Sequence, residues 1–249
     1  MQTVLLIITT IFSFAMPIGL MIYWKNRHKL TMFPFVTGAL CFLLFAMGLE
    51  QILHMFCIGT DNPVSRAIQA NPWLYVLYGC LTAGIFEETG RLFGFKFLLR
   101  NYKEKEISVA YGIGHGGIET IMTLGLTYGM LTLASLGVKF GDSAAQTAIM
   151  ESIQNTSVGE MCLAMLERVS AMMIHIGLSI IVFIAANRKN KIGFYVLAIV
   201  LHALANFAVG MYQVKLLNNV ILVEIIAFVC GAGILALGIM LYKKMGEEK

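Results

Sequence analysis

Charge is what this sequence has least of. Only 13% of its 249 residues are Asp, Glu, Lys or Arg, about half the share of an ordinary soluble domain. Its five cysteines form no CxxC pair, so neither a disulfide framework nor a thiolate zinc site is indicated. They read as small core residues. The first ten residues, MQTVLLIITT, lack the basic region of a cleaved signal peptide and are expected to open a retained span. No soluble stretch, low-complexity tract or internal repeat interrupts the chain. What fills it instead is apolar: 58% of the residues are hydrophobic. A soluble fold of this size leaves roughly a quarter of its unfolded surface wet and cannot hide so much. Disordered, nucleic-acid-binding and secreted disulfide-rich classes are therefore excluded. The expected class is an all-α, polytopic membrane helix bundle, a single integral membrane domain over 1–249.

About 20 apolar residues are needed to cross a bilayer. Seven stretches qualify, at 3–24, 32–58, 72–99, 107–134, 160–186, 192–213 and 218–242. The fourth is the least regular, because Gly112, Gly114, Gly116 and Gly117 crowd its first half. Basic residues set the direction. Lys25, Arg27, Lys29, Lys96, Arg100, Lys103, Lys105, Arg188, Lys189, Lys191, Lys243, Lys244 and Lys249 all fall on one side of a seven-span chain. Arg66, Lys139 and Lys215 fall on the other, and Arg91 and Arg168 lie within spans. The predicted topology has the N-terminus outside and the C-terminus in the cytoplasm. It accounts for the net charge of +4 without an acidic partner.

Glu87, Glu88, Arg91, His115, Glu119, Glu167, Arg168, His175 and His202 interrupt these spans, with Asn206 beside the last. One charge at a helix centre costs about 2.5–3.5 kcal/mol on insertion scales. Half a dozen would cost on the order of 15 kcal/mol, more than a typical domain's net stability. They persist only by facing one another or a wet cavity. Glu87, His115, His175 and His202 lie 10–13 residues from the flanking cytoplasmic charges Arg100, Lys105, Arg188 and Lys191. At 1.5 Å per residue, four helices therefore bring them to one depth, at or just cytoplasmic of the bilayer middle, and the layer is expected to open to the cytoplasm. Glu50, His54 and Glu224, nearer the outer ends, read as interfacial or local packing groups.

Each motif has a structural and a chemical explanation. In 86-FEETGR-91 one Glu–Arg pair would lock helix packing; a second adjacent glutamate exceeds that need and favours catalysis or transport. Two carboxylates in different surroundings can divide acid and base roles. In 111-YGIGHGGIE-119, small residues four apart suit close helix packing, but they leave His115 and Glu119 unexplained. The reading favoured here is that glycine thins the wall so that a substrate backbone can approach the imidazole. His202 and Asn206 share a helix face and either bond a neighbouring helix or donate to an oxyanion. In 167-ERVSAMMIH-175, His175 lies at site depth, while Glu167 and Arg168 suit a structural ion pair and a site role equally.

Taken in order, EE-x-x-R, aromatic-xxx-His and His-xxx-Asn resemble the CPBP superfamily of intramembrane proteases, which includes the type II CAAX prenyl proteases. The frames G-x-G-x-x-x-x-E, from Gly112 to Glu119, and R-x6-H, from Arg168 to His175, are more similar to its PrsW-like and YhfC-like branches. The likeness spans about 80–210, inside a site-bearing core at about 72–213. It implies Glu87 as the water-activating base, assisted by His115 with Glu88 nearby, His202 and Asn206 as oxyanion donors, and Arg91 as the group that orients the glutamates. Arg91 stands four residues after the first glutamate, where the CAAX pattern has five, so the base is open between Glu87 and Glu88. His175 has no counterpart in the simplest pattern.

The expected function is an intramembrane peptidase of glutamic type acting on a membrane-associated peptide or protein, with no nucleic acid partner, in a bacterial plasma membrane. No cofactor is favoured; zinc is the alternative, on His115, His175, His202 and Glu87. Two other classes compete: a proton- or ion-coupled transporter using the same cluster, and a non-catalytic scaffold or immunity protein.

Overall fold

A computed structural model describes residues 2–247. The described residues are helical and contain no strand. The nine helices are α1 (Gln2–His28), α2 (Phe33–Cys57), α3 (Pro63–Ala70), α4 (Pro72–Phe93), α5 (106–135), α6 (Ser143–Asn155), α7 (Val158–Asn187), α8 (Gly193–Gln213) and α9 (Val220–Glu247). Local sequence fixes the starts. Asn71 caps α4 through its side-chain oxygen, with Pro72 following, a position where the missing N–H costs nothing. Ser157 and Glu160 form a reciprocal capping box on α7. Three stretches widen into π turns: Phe45–Glu50 in α2, Gly94–Leu98 after α4 and Ile121–Gly125 in α5.

Each of the seven expected stretches is a helix, and two short helices, α3 and α6, occupy connections that the sequence pattern left unassigned. Among the described residues, five helices are long and apolar enough to cross a membrane: α1, α2, α7, α8 and α9. The other two, α4 and α5, carry Glu87, Glu88, Arg91, His115 and Glu119, and these groups dilute their apolar character. Protein encloses 72% of the apolar stretch of α7, against 22–33% for the other four. Thus α7 is the central rod; α4 and α5 bury Glu87, Glu88, Arg91 and His115 but leave Leu77, Leu81, Ile85, Leu126 and Leu133 exposed.

Close approaches give the relative directions. Gly84 on α4 faces Ile199 on α8, and Gly210 on α8 faces Val76 on α4, so these two run antiparallel. Gly112 on α5 meets Ile176 and Ser179 on α7, whereas Arg168 on α7 bonds Glu119 and Thr123 on α5, again antiparallel. Gly231 meets Ser170 and Gly238 meets Gly177, so α9 runs parallel to α7.

The glycines of α5 serve this packing, which corrects the expectation that they open a path to the imidazole. A Cβ on Gly112 would lie 2.7 Å from the Ile176 Cα, and one on Gly114 would lie 2.8 Å from the Phe35 Cα. The space in front of both is filled by the backbones of α7 and α2. A large apolar cluster continues from the same helices. Phe95, Leu99, Tyr111, Leu178, Ile181 and Val182 are each at most 1% exposed.

Candidate active site

Four helices donate the polar groups: Glu87, Glu88 and Arg91 from α4, His115 and Glu119 from α5, Arg168 and His175 from α7, and His202 from α8. The antiparallel pairing of α5 with α7 and of α4 with α8 lets residues at opposite ends of the sequence reach one depth. All are buried except Glu119, which is partly so.

Glu87 is the hub. Its Oε2 lies 2.8 Å from His115 Nε2, 3.9 Å from His175 Nδ1 and 3.7 Å from an Arg91 terminal nitrogen. Its other oxygen lies 3.7 Å from His202 Nε2. The imidazoles of His115 and His175 lie 4.9 Å apart between centroids, and those of His175 and His202 lie 6.0 Å apart.

Adjacent in sequence, Glu88 has a different environment. It is fully buried, pairs with Arg91 through one oxygen, and accepts from His202 Nδ1 at 2.7 Å through the same atom. Arg91 also donates to His175 Nδ1 at 2.5 Å. Glu88 and Arg91 thus form a buried brace between α4, α7 and α8. Of the two glutamates, Glu87 lines the adjacent cavity.

A second chain of contacts leads outward. His175 Nε2 pairs with Glu119. Arg168 donates to Glu119 at 2.9 Å, to Thr123 at 3.0 Å and to Glu167 at 2.6 Å. The sequence weighed Glu167 and Arg168 evenly between structure and site; the structure joins Arg168 to the cluster through Glu119. The signal was there, because an antiparallel α5–α7 pair that places His115 near His175 must also place Glu119 near Arg168. His54, read from the sequence as an interfacial or packing group, and Tyr78, which the sequence did not single out, form a further group. His54 bonds Tyr78 at 2.8 Å and lies 3.2 Å from the buried Glu50, and both His54 and Tyr78 line the cavity. Glu50 is buried beside His54, and His54 is also part of the cavity wall.

The cavity measures about 430 Å³, within the range of small-ligand sites. Glu87, His175, His202 and Asn206 face it, together with Glu119 and Arg168. Tyr75 and Gln213 mark its far end. That end lies beside Asn71, where α4 begins, and beside the C-terminus of α8, away from the cationic connections 99–105 and 188–192. The cavity thus does not open toward the basic connections, as the sequence led one to expect, because the apolar cluster around Tyr111 and Leu178 fills that direction.

Glu87, His115 and His175 each offer a ligand atom within 4.8 Å of the others. Two imidazoles and a carboxylate match the donor types of catalytic zinc sites. His175 meets a further requirement, since its Nε2 is backed by a carboxylate while Nδ1 faces the hub, the arrangement that fixes a metal-binding tautomer. His115 Nδ1 is buried with no hydrogen-bond partner. The residues fit a divalent cation, with one condition: Arg91 uses the His175 Nδ1 lone pair in this structure, and a cation bound there would have to displace it.

The model of the family described as "YhfC intramembrane metalloprotease" matches residues 12–227. The "Uncharacterized membrane protein YhfC" of Bacillus subtilis (strain 168) is 33% identical over 230 residues, covering 88% of each chain. No solved structure matches this chain. A family match over most of the length, the apolar helices and the gathered Glu/His cluster agree: this is an integral membrane protein that belongs to the YhfC family.

Proposed function

We propose that this protein is an intramembrane peptidase, with its N-terminus outside, seven spans and the site in a core at about 72–213. It hydrolyses a peptide bond of a membrane-associated substrate. The observation that carries this reading is Glu87: a cavity-facing carboxylate within 4 Å of three imidazoles donated by three other helices. Hydrolysis in a membrane needs an enclosed wet space, a base and donors for the tetrahedral oxygen. Glu87 accepts the proton of a water in the cavity, and His115 behind it shares that proton. The Asn206 amide, on the cavity wall one turn from His202, donates to the oxyanion. His202 gives its Nδ1–H to Glu88, so Nε2 presents a lone pair and donates to an oxyanion only as imidazolium. Arg91 fixes the α4 carboxylates, and Glu119 fixes His175.

Glu87, His115 and His175 are the residues that would hold a metal ion, with His202 Nε2 beside them. When bound, a divalent cation supplies Lewis acidity and lowers the pKa of its water to about 7. The family's description favours this version. A metal-free glutamic version draws support from the Arg91–His175 and Glu87–His115 bonds, which occupy the His175 Nδ1 and Glu87 Oε2 atoms that a cation would otherwise use. Transport is disfavoured by the apolar cluster: a relay needs polar steps toward both faces, and Phe95, Leu178 and Val182 offer none.

The test is cleavage of membrane-associated peptides by the purified full chain in lipid vesicles, compared with Glu87→Gln. The variant is expected to lose turnover while its thermal unfolding stays near that of the parent. Undiminished cleavage would remove Glu87 from the chemistry.

A further inference from the structure

The cluster has one dry side and one open side. Toward the connections 99–105 and 188–192, the helices continue from Glu87, His115 and His175 into Phe95, Tyr111, Leu178 and Val182, each at most 1% exposed. No water or peptide reaches Glu87 through such packing without repacking a core of crystal-like density. Toward the other end, the cavity wall continues from Glu87 to Tyr75 on α4 and from His202 to Gln213 on α8. Those separations are twelve and eleven residues, about 17 Å of helix at 1.5 Å per residue. Gln213 is exposed, so this end is the mouth. An extended chain rises about 3.3 Å per residue, so the passage accommodates roughly five residues between the mouth and Glu87.

Of the thirteen cytoplasmic-type lysines and arginines, the twelve that fall within the described residues lie toward the dry end, and Arg66 and Lys215 lie toward the mouth. Charge asymmetry of this kind orients membrane proteins with the basic loops in the cytoplasm. We infer that the site is fed from the extracytoplasmic side, and that its substrate class is an extended polypeptide segment presented at the outer face of the membrane. A cytoplasmic peptide or a C-terminus buried in the inner leaflet does not fit. The inference rests on the peptidase reading for the word substrate, and on the basic-residue topology for the word outer. The direction of access relative to the basic loops rests on neither.

Thiol labelling separates these layers. In the full chain, with Cys80, which lines the passage, and the non-buried Cys57, Cys162 and Cys230 replaced by alanine, single cysteines are introduced as Val209→Cys inside the passage, Gln213→Cys at the mouth and Lys189→Cys on the basic connection. A membrane-impermeant maleimide is applied to right-side-out and to inverted vesicles. Val209→Cys and Gln213→Cys are expected to react in right-side-out vesicles, and Lys189→Cys in inverted ones. Reaction of Val209→Cys or Gln213→Cys from the same side as Lys189→Cys would overturn the inference. So would reaction of Lys189→Cys from outside, which would put the mouth in the cytoplasm, or a Val209→Cys thiol that stays unreactive while the Gln213→Cys thiol reacts. Labelling reads access whether or not the protein cuts anything. In preparations that cut, Val209→Cys modified from outside is expected to lose cleavage; full labelling with cleavage undiminished would overturn the substrate route and leave Glu87 in its role.

Discussion

The Nε2 of His175 is paired with Glu119, so the histidine on α7 is held by a carboxylate from α5 that Arg168 in turn secures. The imidazole is thereby fixed with Nδ1 toward Glu87. A partner of this kind orients a histidine and raises its basicity, and its loss typically costs roughly 10–100-fold in metal affinity or activity. Glu119→Gln keeps the shape and removes the charge. The expected outcome is a drop of that size in cleavage rate with the fold intact, measured by kinetics beside thermal unfolding. Equal rates in variant and parent would assign Glu119 to packing alone.

Neighbouring glutamates should fail in different ways. Glu88 is fully buried against Arg91 and His202, and neutralising it leaves a guanidinium deep in the bundle with only Glu87, 3.7 Å away, as counter-charge. Breaking a buried pair from one side costs about 3–5 kcal/mol. Glu88→Gln is therefore expected to lower stability by about 3 kcal/mol, the low end of that range, since the amide still accepts one bond. Glu87→Gln, at the cavity wall, should lose much less. Denaturation in mild detergent ranks the two, and the reverse ranking would contradict the division of labour between brace and hub.

Much of this arrangement was legible in the sequence, and the limits are instructive. Depth could be read because helix rise is constant: counting residues from Arg100, Lys105, Arg188 and Lys191 put Glu87, His115, His175 and His202 at one level. Register across helices could not be read, because it depends on which faces touch. Hence Arg168 stayed ambiguous although Glu119 was its partner, and Glu87 and Glu88 could not be told apart although they are 100° apart around α4. The glycines of α5 were misjudged for the same reason. Spacing says that something approaches closely; only the neighbours Phe35 and Ile176 say that it is another helix. The direction of the opening failed differently, since His54 was read as an interfacial or packing group and Glu167 was left even between structure and site, while both line the route outward.

Glycine positions give a control within one residue type. Gly114→Ala places a methyl group against the Phe35 backbone, which cannot move without shifting α2, and overpacking of this kind costs about 1–3 kcal/mol. Gly233 on α9 has nothing within 4 Å of a built Cβ, and helix propensity favours alanine there by about 1 kcal/mol. Thermal unfolding should therefore move in opposite directions for Gly114→Ala and Gly233→Ala. A neutral Gly114→Ala would mean that α2 and α5 are not packed as closely as described.

Metal content decides between the two chemical versions of the site. If a cation is held, Glu87, His115 and His175 are its ligands, and the purified parent should carry about one equivalent of zinc or a similar divalent ion. His115→Ala and His175→Ala should each abolish that content. Asn206→Ala should keep it while slowing cleavage, because the amide faces the cavity without belonging to the donor set. A chelator that strips the ion should stop turnover, and readdition should restore it. Should cleavage survive stoichiometric loss of metal, the ion is not required, and the Glu87–His115 pair at 2.8 Å becomes the whole of the base. The Asn206 variant guards the comparison: if it also loses metal, the donor set has been drawn in the wrong place.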